Sequence, residues 1–276
     1  MELARKTESL GYGALTMPDH FTDQLAPLPA LTAAAMATST LRIGALVWDN
    51  DYKHPVVFAK EMATLDVLSD GRLDLGIGAG WMITDYEQSG IPYESAGTRI
   101  DKMIEGIDIM KGCFAQGPFS YAGKHYTITN YNGMPKPVQG SCPPILIGGG
   151  GKRVLTYAAK VADIVGINAT MSAGAVGPEA ISTMTAEAVD AKVDIVREAS
   201  GDRINDIEMN IRAFLVNVTD DAEGAISRLA KGMGVEESMV ANTPFALMGP
   251  PSKLIEDLLA RRERWGFSYV IVGGED

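Results

Sequence analysis

Seven short apolar segments recur along the chain, each set apart from the next by a stretch long enough for a helix. They fall at residues 14–17, 41–48, 73–78, 144–147, 164–167, 207–218 and 269–272. Between them, apolar residues return every three or four positions: Phe58, Met62 and Leu65 in one stretch, Ile100, Met103, Ile104, Ile107, Met110 and Phe114 in another. Strands joined through helices, without a run of hairpins, imply a parallel sheet. Seven is one short of a (β/α)8 barrel. The shortfall has an address. The chain opens in a helix (Leu3, Thr7, Leu10, closed by Gly11), so the strand expected ahead of it is missing, and the sequence stops just past its last strand. The reading frame is therefore expected to begin upstream of Met1. No internal repeat or linker divides the chain, so a single barrel domain over 1–276 is expected, with insertions at about 118–142 and 169–180. The first insertion reads as irregular with a small hairpin. A helix over 98–115 starts at a capping box, Thr98-x-x-Asp101. A long helix covers 179–199, and Ser252 caps the last helix.

Composition excludes several function classes. The 276 residues carry 24 Lys and Arg against 35 Asp and Glu, a net charge of −11. No basic stretch offsets this, which argues against nucleic acid as a partner. No apolar run approaches the roughly 20 residues that span a bilayer, and the charged start from Met1 to Gly11 lacks the apolar core of a signal peptide. Cys113 and Cys142 make neither a disulfide framework nor a zinc site, and no His-x-x-x-His pair or other metal motif is present. A cytoplasmic enzyme acting on a small molecule is the expectation.

In parallel α/β folds, ligands sit at the carboxyl ends of strands, and four segments occupy such ends. Pro18-Asp19-His20-Phe21 places a histidine, the side chain suited to proton exchange near neutral pH, just past an apolar strand; either it acts there, or it and Asp19 cap the next segment. Trp48-Asp49-Asn50-Asp51 lacks calcium-loop spacing and reads as a polar loop tip. Gly76-Ile77-Gly78-Ala79-Gly80-Trp81 is either a place of close ligand approach or a tight bend; its third glycine comes too early for a dinucleotide fingerprint. Ile147-Gly148-Gly149-Gly150-Gly151-Lys152-Arg153 runs straight into a helix. It is no P-loop, but open backbone N–H groups beside Lys152 and Arg153 favour phosphate binding. His54 reads as a cap before Pro55, and His125 as a surface residue of the hairpin.

Taken together, these segments resemble one family. His54-Pro55, Ala59-Lys60-Glu61, Thr64-Leu65-Asp66-Val67-Leu68-Ser69, Gly71-Arg72-Leu73 and the glycine strand to Trp81 are similar to the bacterial luciferase-like monooxygenases. Pro135-Lys136-Pro137-Val138-Gln139, Pro143-Pro144 with the four-glycine segment, and Asp19-His20-Phe21 fit the same family. The details are most similar to the branch that uses coenzyme F420, a deazaflavin. The resemblance implies a (β/α)8 barrel with insertions and a cofactor ring at its mouth. His20 would then be the proton donor or acceptor, oriented by Asp19. Ala45, Leu46 and Val47 would form a bulge behind the ring, where some relatives have a non-proline cis peptide. Gly78, Ala79 and Gly80 would let the cofactor pass, and Gly149, Gly150, Gly151 and Lys152 would hold its phosphate. A homodimer is the family's common state.

One departure bears on substrate. Sugar-phosphate dehydrogenases of this family carry an acidic residue directly after the glycine strand, where this chain has Trp81; a tryptophan found near His20 in those enzymes is also replaced, near Gln24. That reaction is not expected, and Trp81, with Trp48, would wall the substrate pocket instead. The resemblance implies hydride transfer with coenzyme F420. FMN-dependent oxygenation and a cofactor-binding member without turnover are the alternatives.

Overall fold

The computed structural model describes residues 1–273. The chain groups into two compact units, Met1–Ile147 and Gly148–Asp276.

The first unit opens with α1 (Glu2–Ser9), followed by Gly11 at φ +82°. Strand β1 (Ala14–Met17) pairs parallel with β2 (Arg42–Ala45), and α2 (Pro27–Ala37) connects them. Pro27 stands in the first turn of α2, where its missing N–H has no intrahelical partner to lose. The segment read as one strand over 41–48 divides. After β2 the Leu46–Val47 peptide is cis, and β3 (Trp48–Asp49) resumes pairing. Helix α3 (Pro55–Leu68) is capped by His54, whose Nδ1 accepts from Val56 N at 3.3 Å, as its place before Pro55 suggested. Strand β4 (Leu73–Gly78) is buried along its whole length, with β2 and β3 on one edge; that is why it reads as a continuous apolar and glycine run.

Helices α4 (Ile83–Ser89) and α5 (Ala96–Phe114) follow. The capping box at Thr98 is not the start of α5. Ser95 caps it, its Oγ accepting from Thr98 N at 3.2 Å, so Thr98 lies inside the first turn. Strands β5 (Phe119–Ala122) and β6 (Thr127–Tyr131) form the antiparallel hairpin expected in the first insertion. Buried Asp66 fastens the return from that insertion: it accepts from Val138 N (2.7 Å), Gln139 N (3.2 Å) and Gln139 Nε2 (2.7 Å). Strand β7 (Ile145–Gly149) then pairs with the other edge of β4. Leu41, Ile43, Leu73, Leu75, Ile77, Met103 and Ile107 make the buried apolar centre of this unit.

β7 continues into the second unit, where Gly149 O accepts from Asn168 N at 3.0 Å. There α6 (Lys152–Val161), β8 (Ile164–Ile167), α7 (Pro178–Ser182) and α8 (Ala186–Ser200) follow in order. The single helix expected over 179–199 is two. Thr185 ends the interruption by capping α8, its Oγ1 accepting from Ala188 N at 3.2 Å. Strand β9 (Glu208–Ala213) pairs parallel with β8; the strand expected over 207–218 is two, because after Phe214 the chain enters β10 (Leu215–Val218), which belongs to a separate two-stranded sheet. Helices α9 (Ala222–Met233) and α10 (Glu237–Asn242) lead to β11 (Ala246–Gly249), which pairs parallel with β10. This strand escaped the sequence reading because Ala-Leu-Met-Gly is short and holds no β-branched residue. Helix α11 (Pro251–Trp265) begins at Pro250, so Ser252 is not its cap. Strand β12 (Phe267–Val272) pairs parallel with β9. Each of the seven segments read as strands holds strand structure, two of them (41–48 and 207–218) as a pair of strands, and no helix among the described residues is long and apolar enough to cross a membrane.

Candidate active site

His20 lies just beyond the carboxyl end of β1, partly exposed. Its Nδ1 is 2.7 Å from Asp85 Oδ2. Asp85 sits in the first turn of α4 and is buried. It also accepts from Phe21 N at 3.2 Å and from Tyr52 Oη at 3.0 Å. The Phe21 N–H can only donate and the Tyr52 hydroxyl is placed to donate as well, an arrangement suited to an aspartate that accepts from the imidazole Nδ1. That leaves Nε2 as the free edge of the ring. Trp81 stands edge-on to it, ring centroids 5.5 Å apart at 89°.

The carboxylate that orients His20 is therefore Asp85, and not Asp19 as the resemblance implied. Asp19 Oδ2 accepts from Asp49 N at 3.1 Å instead and ties the loop after β1 to the end of β3. Trp48 is also corrected: it is 2% exposed, packed edge-on to Phe58 at 5.7 Å, and belongs to the core rather than to a pocket wall. Its neighbour on the sheet pleat, Asp49, faces the polar cluster. There Tyr86 Oη donates to Asp49 Oδ2 at 3.0 Å, and Asp51 N donates to Asp49 Oδ1 at 2.9 Å.

Burial raises the pKa of Asp49 to about 7, with Asp51 and Asp19 nearby adding to it. Burial also raises Asp19 and Asp51. The same desolvation, with the carboxylates beside them, pushes the Tyr52 and Tyr86 hydroxyls far above their usual range, so both remain donors. No group of three or more potential ligands among the described residues holds a metal geometry.

The glycine bend after β4 is fixed from behind. Gly80 has φ +72°, and a Cβ there would collide with Tyr86 Oη and the Asp49 carboxylate. Arg99, buried on α5, donates to Ala79 O (3.2 Å) and Gly80 O (3.4 Å) and lies over the Tyr93 ring at 4.1 Å. Val47 occupies the side of Gly78 where a Cβ would point. Sequence reasoning missed Asp85, Tyr52, Tyr86 and Arg99. The available signal was the spacing of Asp85 and Tyr86 just after Trp81, an acid and an aromatic opening a helix at a strand end.

In the second unit, Gly151 is the residue before α6 and no side chain caps that helix. Nothing lies within 4 Å of a Cβ built at Gly151, whereas one at Gly150 would strike the Ala169 carbonyl. Lys152 and Arg153 are exposed in the first turn. Thr170 Oγ1 donates to Gly150 O at 2.9 Å and holds the loop from its far side. His125, expected at the surface, is half-buried in the hairpin, and its backbone N donates to Glu105 Oε2 at 3.0 Å.

Polar side chains gathered past the ends of parallel strands are the arrangement in which α/β enzymes carry their sites. The chain belongs to the luciferase-like monooxygenase family, whose model matches residues 1–269. It is 27% identical over 221 residues to an FMNH(2)-dependent dimethylsulfone monooxygenase of Pseudomonas putida, covering 80% of this chain and 54% of that one. The chain thus spans about half the length of that curated relative. Among solved structures, the coenzyme F420-dependent tetrahydromethanopterin reductase of Methanopyrus kandleri matches with a TM-score of 0.79 at 20% identity, covering 99% and 88% of the two chains. The oxygenating constituent of 3,6-diketocamphane monooxygenase of Pseudomonas putida, in complex with FMN, matches with 0.74 at 17%, covering 100% and 85%. These two likenesses establish the fold.

Proposed function

We propose that the protein is an oxidoreductase of the coenzyme F420 type, transferring hydride between the deazaflavin and a small organic substrate, with His20 as proton donor or acceptor. The observation that carries this reading is the His20–Asp85 hydrogen bond. It fixes the imidazole with Nδ1 as donor and leaves Nε2 to exchange a proton with substrate. When bound, the cofactor supplies the hydride chemistry, and the protein supplies orientation and proton management. The residues fit such a group. The uncapped start of α6, open at Gly151 and flanked by Lys152, offers backbone donors to a phosphate. Ala45, Leu46, Val47, Gly78, Ala79 and Gly80 remain the proposed backing for the ring, and Trp81 the wall beside His20. Tyr52 holds Asp85 in place by its hydrogen bond to Oδ2. A homodimer in the cytoplasm belongs to the same proposal.

FMN with molecular oxygen is the second reading, favoured by the 27% identity to an FMNH(2)-dependent enzyme. Titrating the purified chain with each cofactor separates the two. Saturable binding of coenzyme F420, at least tenfold tighter than FMN, is the expected result. Tight FMN binding without binding of the deazaflavin overturns the first reading in favour of the second.

A further inference from the structure

Arginines that reach into this fold carry partners. Arg72 donates to Ala35 O (2.8 Å), Leu41 O (2.9 Å) and Ser69 O (2.6 Å). Arg203 donates to Ala159 O (2.7 Å) and Ala162 O (2.9 Å), and Arg261 to Pro244 O (2.8 Å) and Ala246 O. Arg212 is different. Its buried Nε meets no acceptor, and its guanidinium has no hydrogen bond or ion pair among the described residues. Burial pulls its pKa below the usual guanidinium value. A chain with 35 acidic residues does not lack partners by composition.

The position of Arg212 gives this vacancy a meaning. It is the fifth residue of β9, near the carboxyl end of a parallel strand, where ligands are met in folds of this class. Strand alternation puts it on the face of Asn210 and opposite the buried Ile211 and Ala213. Asn210 is anchored on Tyr269 O at 2.8 Å. The ring of Phe214, itself 41% exposed, lies 5.0 Å from the Arg212 Cζ and steadies the guanidinium plane. A partly buried cation whose Nε meets no acceptor among the described residues carries a desolvation cost that a bound anion would offset. A guanidinium is built to be completed by two oxygens of one oxyanion.

We propose that Arg212 is an anion-recognition residue that takes the carboxylate, sulfonate or phosphate group of an anionic substrate. The word substrate rests on the oxidoreductase reading above, while the anion site stands on Arg212 alone. The test uses the full chain without cofactor, titrated with sodium sulfate against sodium chloride at matched ionic strength, and followed by the Nε–Hε resonance of Arg212. A saturable shift with sulfate, absent with chloride, is expected. Calorimetric affinity for sulfate should fall at least tenfold in Arg212→Gln and less in Arg212→Lys, which keeps the charge and guards against a folding artefact. Coenzyme F420 and FMN affinities should stay within about twofold of wild type in both variants. Equal sulfate binding by wild type and Arg212→Gln, or no saturable response in wild type, overturns the proposal. A tenfold loss of cofactor affinity in Arg212→Gln also overturns it, because the cation would then serve the cofactor's own phosphate. Failure of either protein to bind any cofactor sinks the oxidoreductase reading and leaves the sulfate result standing.

Discussion

Asp85 in the first unit is buried and Arg212 in the second is half-buried, and the two differ in completeness. Asp85 accepts three hydrogen bonds, from His20, Phe21 and Tyr52. Arg212 makes none among the described residues. A fully partnered charge is a fixed part of the scaffold, and here it sets the orientation of a reactive ring. A charge left without a partner among the described residues is a place that a ligand can complete. The first kind of group should resist loss of its neighbours poorly; the second should be dispensable for folding and needed for recognition.

The largest expected effect tests the first half of that contrast. His20→Ala should bind cofactor within about twofold of wild type and lose about 10²–10⁴-fold in turnover, the usual contribution of a general acid or base. Full turnover with cofactor bound would remove His20 from the mechanism. The next sets two arginines of the second unit against each other. Arg261→Met abandons two buried carbonyls and should cost about 2–4 kcal/mol in urea unfolding. Arg212→Met, without ligand, should lie within about 1 kcal/mol of wild type or be more stable, since it removes a half-buried charge that no described residue compensates. Equal destabilisation by the two would erase the distinction.

A smaller effect separates neighbouring glycines of the four-glycine segment. Gly150→Ala should cost about 1–3 kcal/mol, because the methyl meets the Ala169 carbonyl. Gly151→Ala should cost only about 0.5 kcal/mol as a poorer helix cap, yet weaken cofactor binding by filling the open space before α6. A pH-dependent effect concerns Asp49. Its pKa of about 7 lies above that of an unfolded aspartate. Between pH 4 and 7 the native state therefore keeps a proton that the unfolded chain has lost. Stability from this group is full below pH 4 and falls as pH rises through 7, by at most about 1.4 kcal/mol per pH unit. Asp49→Asn should flatten that slope in unfolding curves measured from pH 4 to 8.

The sequence was most readable where one periodicity governs one element. Leu73, Leu75 and Ile77 announce β4, and Pro55 after His54 announces the start of α3, because local patterning and local capping decide both. It was least readable where tertiary contacts decide. Ala-Leu-Met-Gly becomes β11 only because β10 lies alongside it, and Thr185 ends α7 from α8 by a cap that helical periodicity hides. The same division holds in the site. His20 stood out as a proton-exchanging side chain past a strand. Its carboxylate partner did not, since Asp85 lies 65 positions away in sequence and nothing local links the two. Asp19, adjacent in sequence, was the natural candidate, but its side chain turns to Asp49 N. Trp48 shows the converse: a large aromatic at a strand end is as readily core as pocket wall.

Asp85 should hold His20 with Nδ1 protonated and Nε2 free, and ¹⁵N–¹H correlation of the histidine ring reads that directly. At a pH where the His20 imidazole is neutral, wild type should show a protonated Nδ1 and an unprotonated Nε2, and Asp85→Ala should lose that preference. A wild-type ring with Nε2 protonated and Nδ1 bare would contradict the assignment of His20 Nε2 as the proton-exchanging atom.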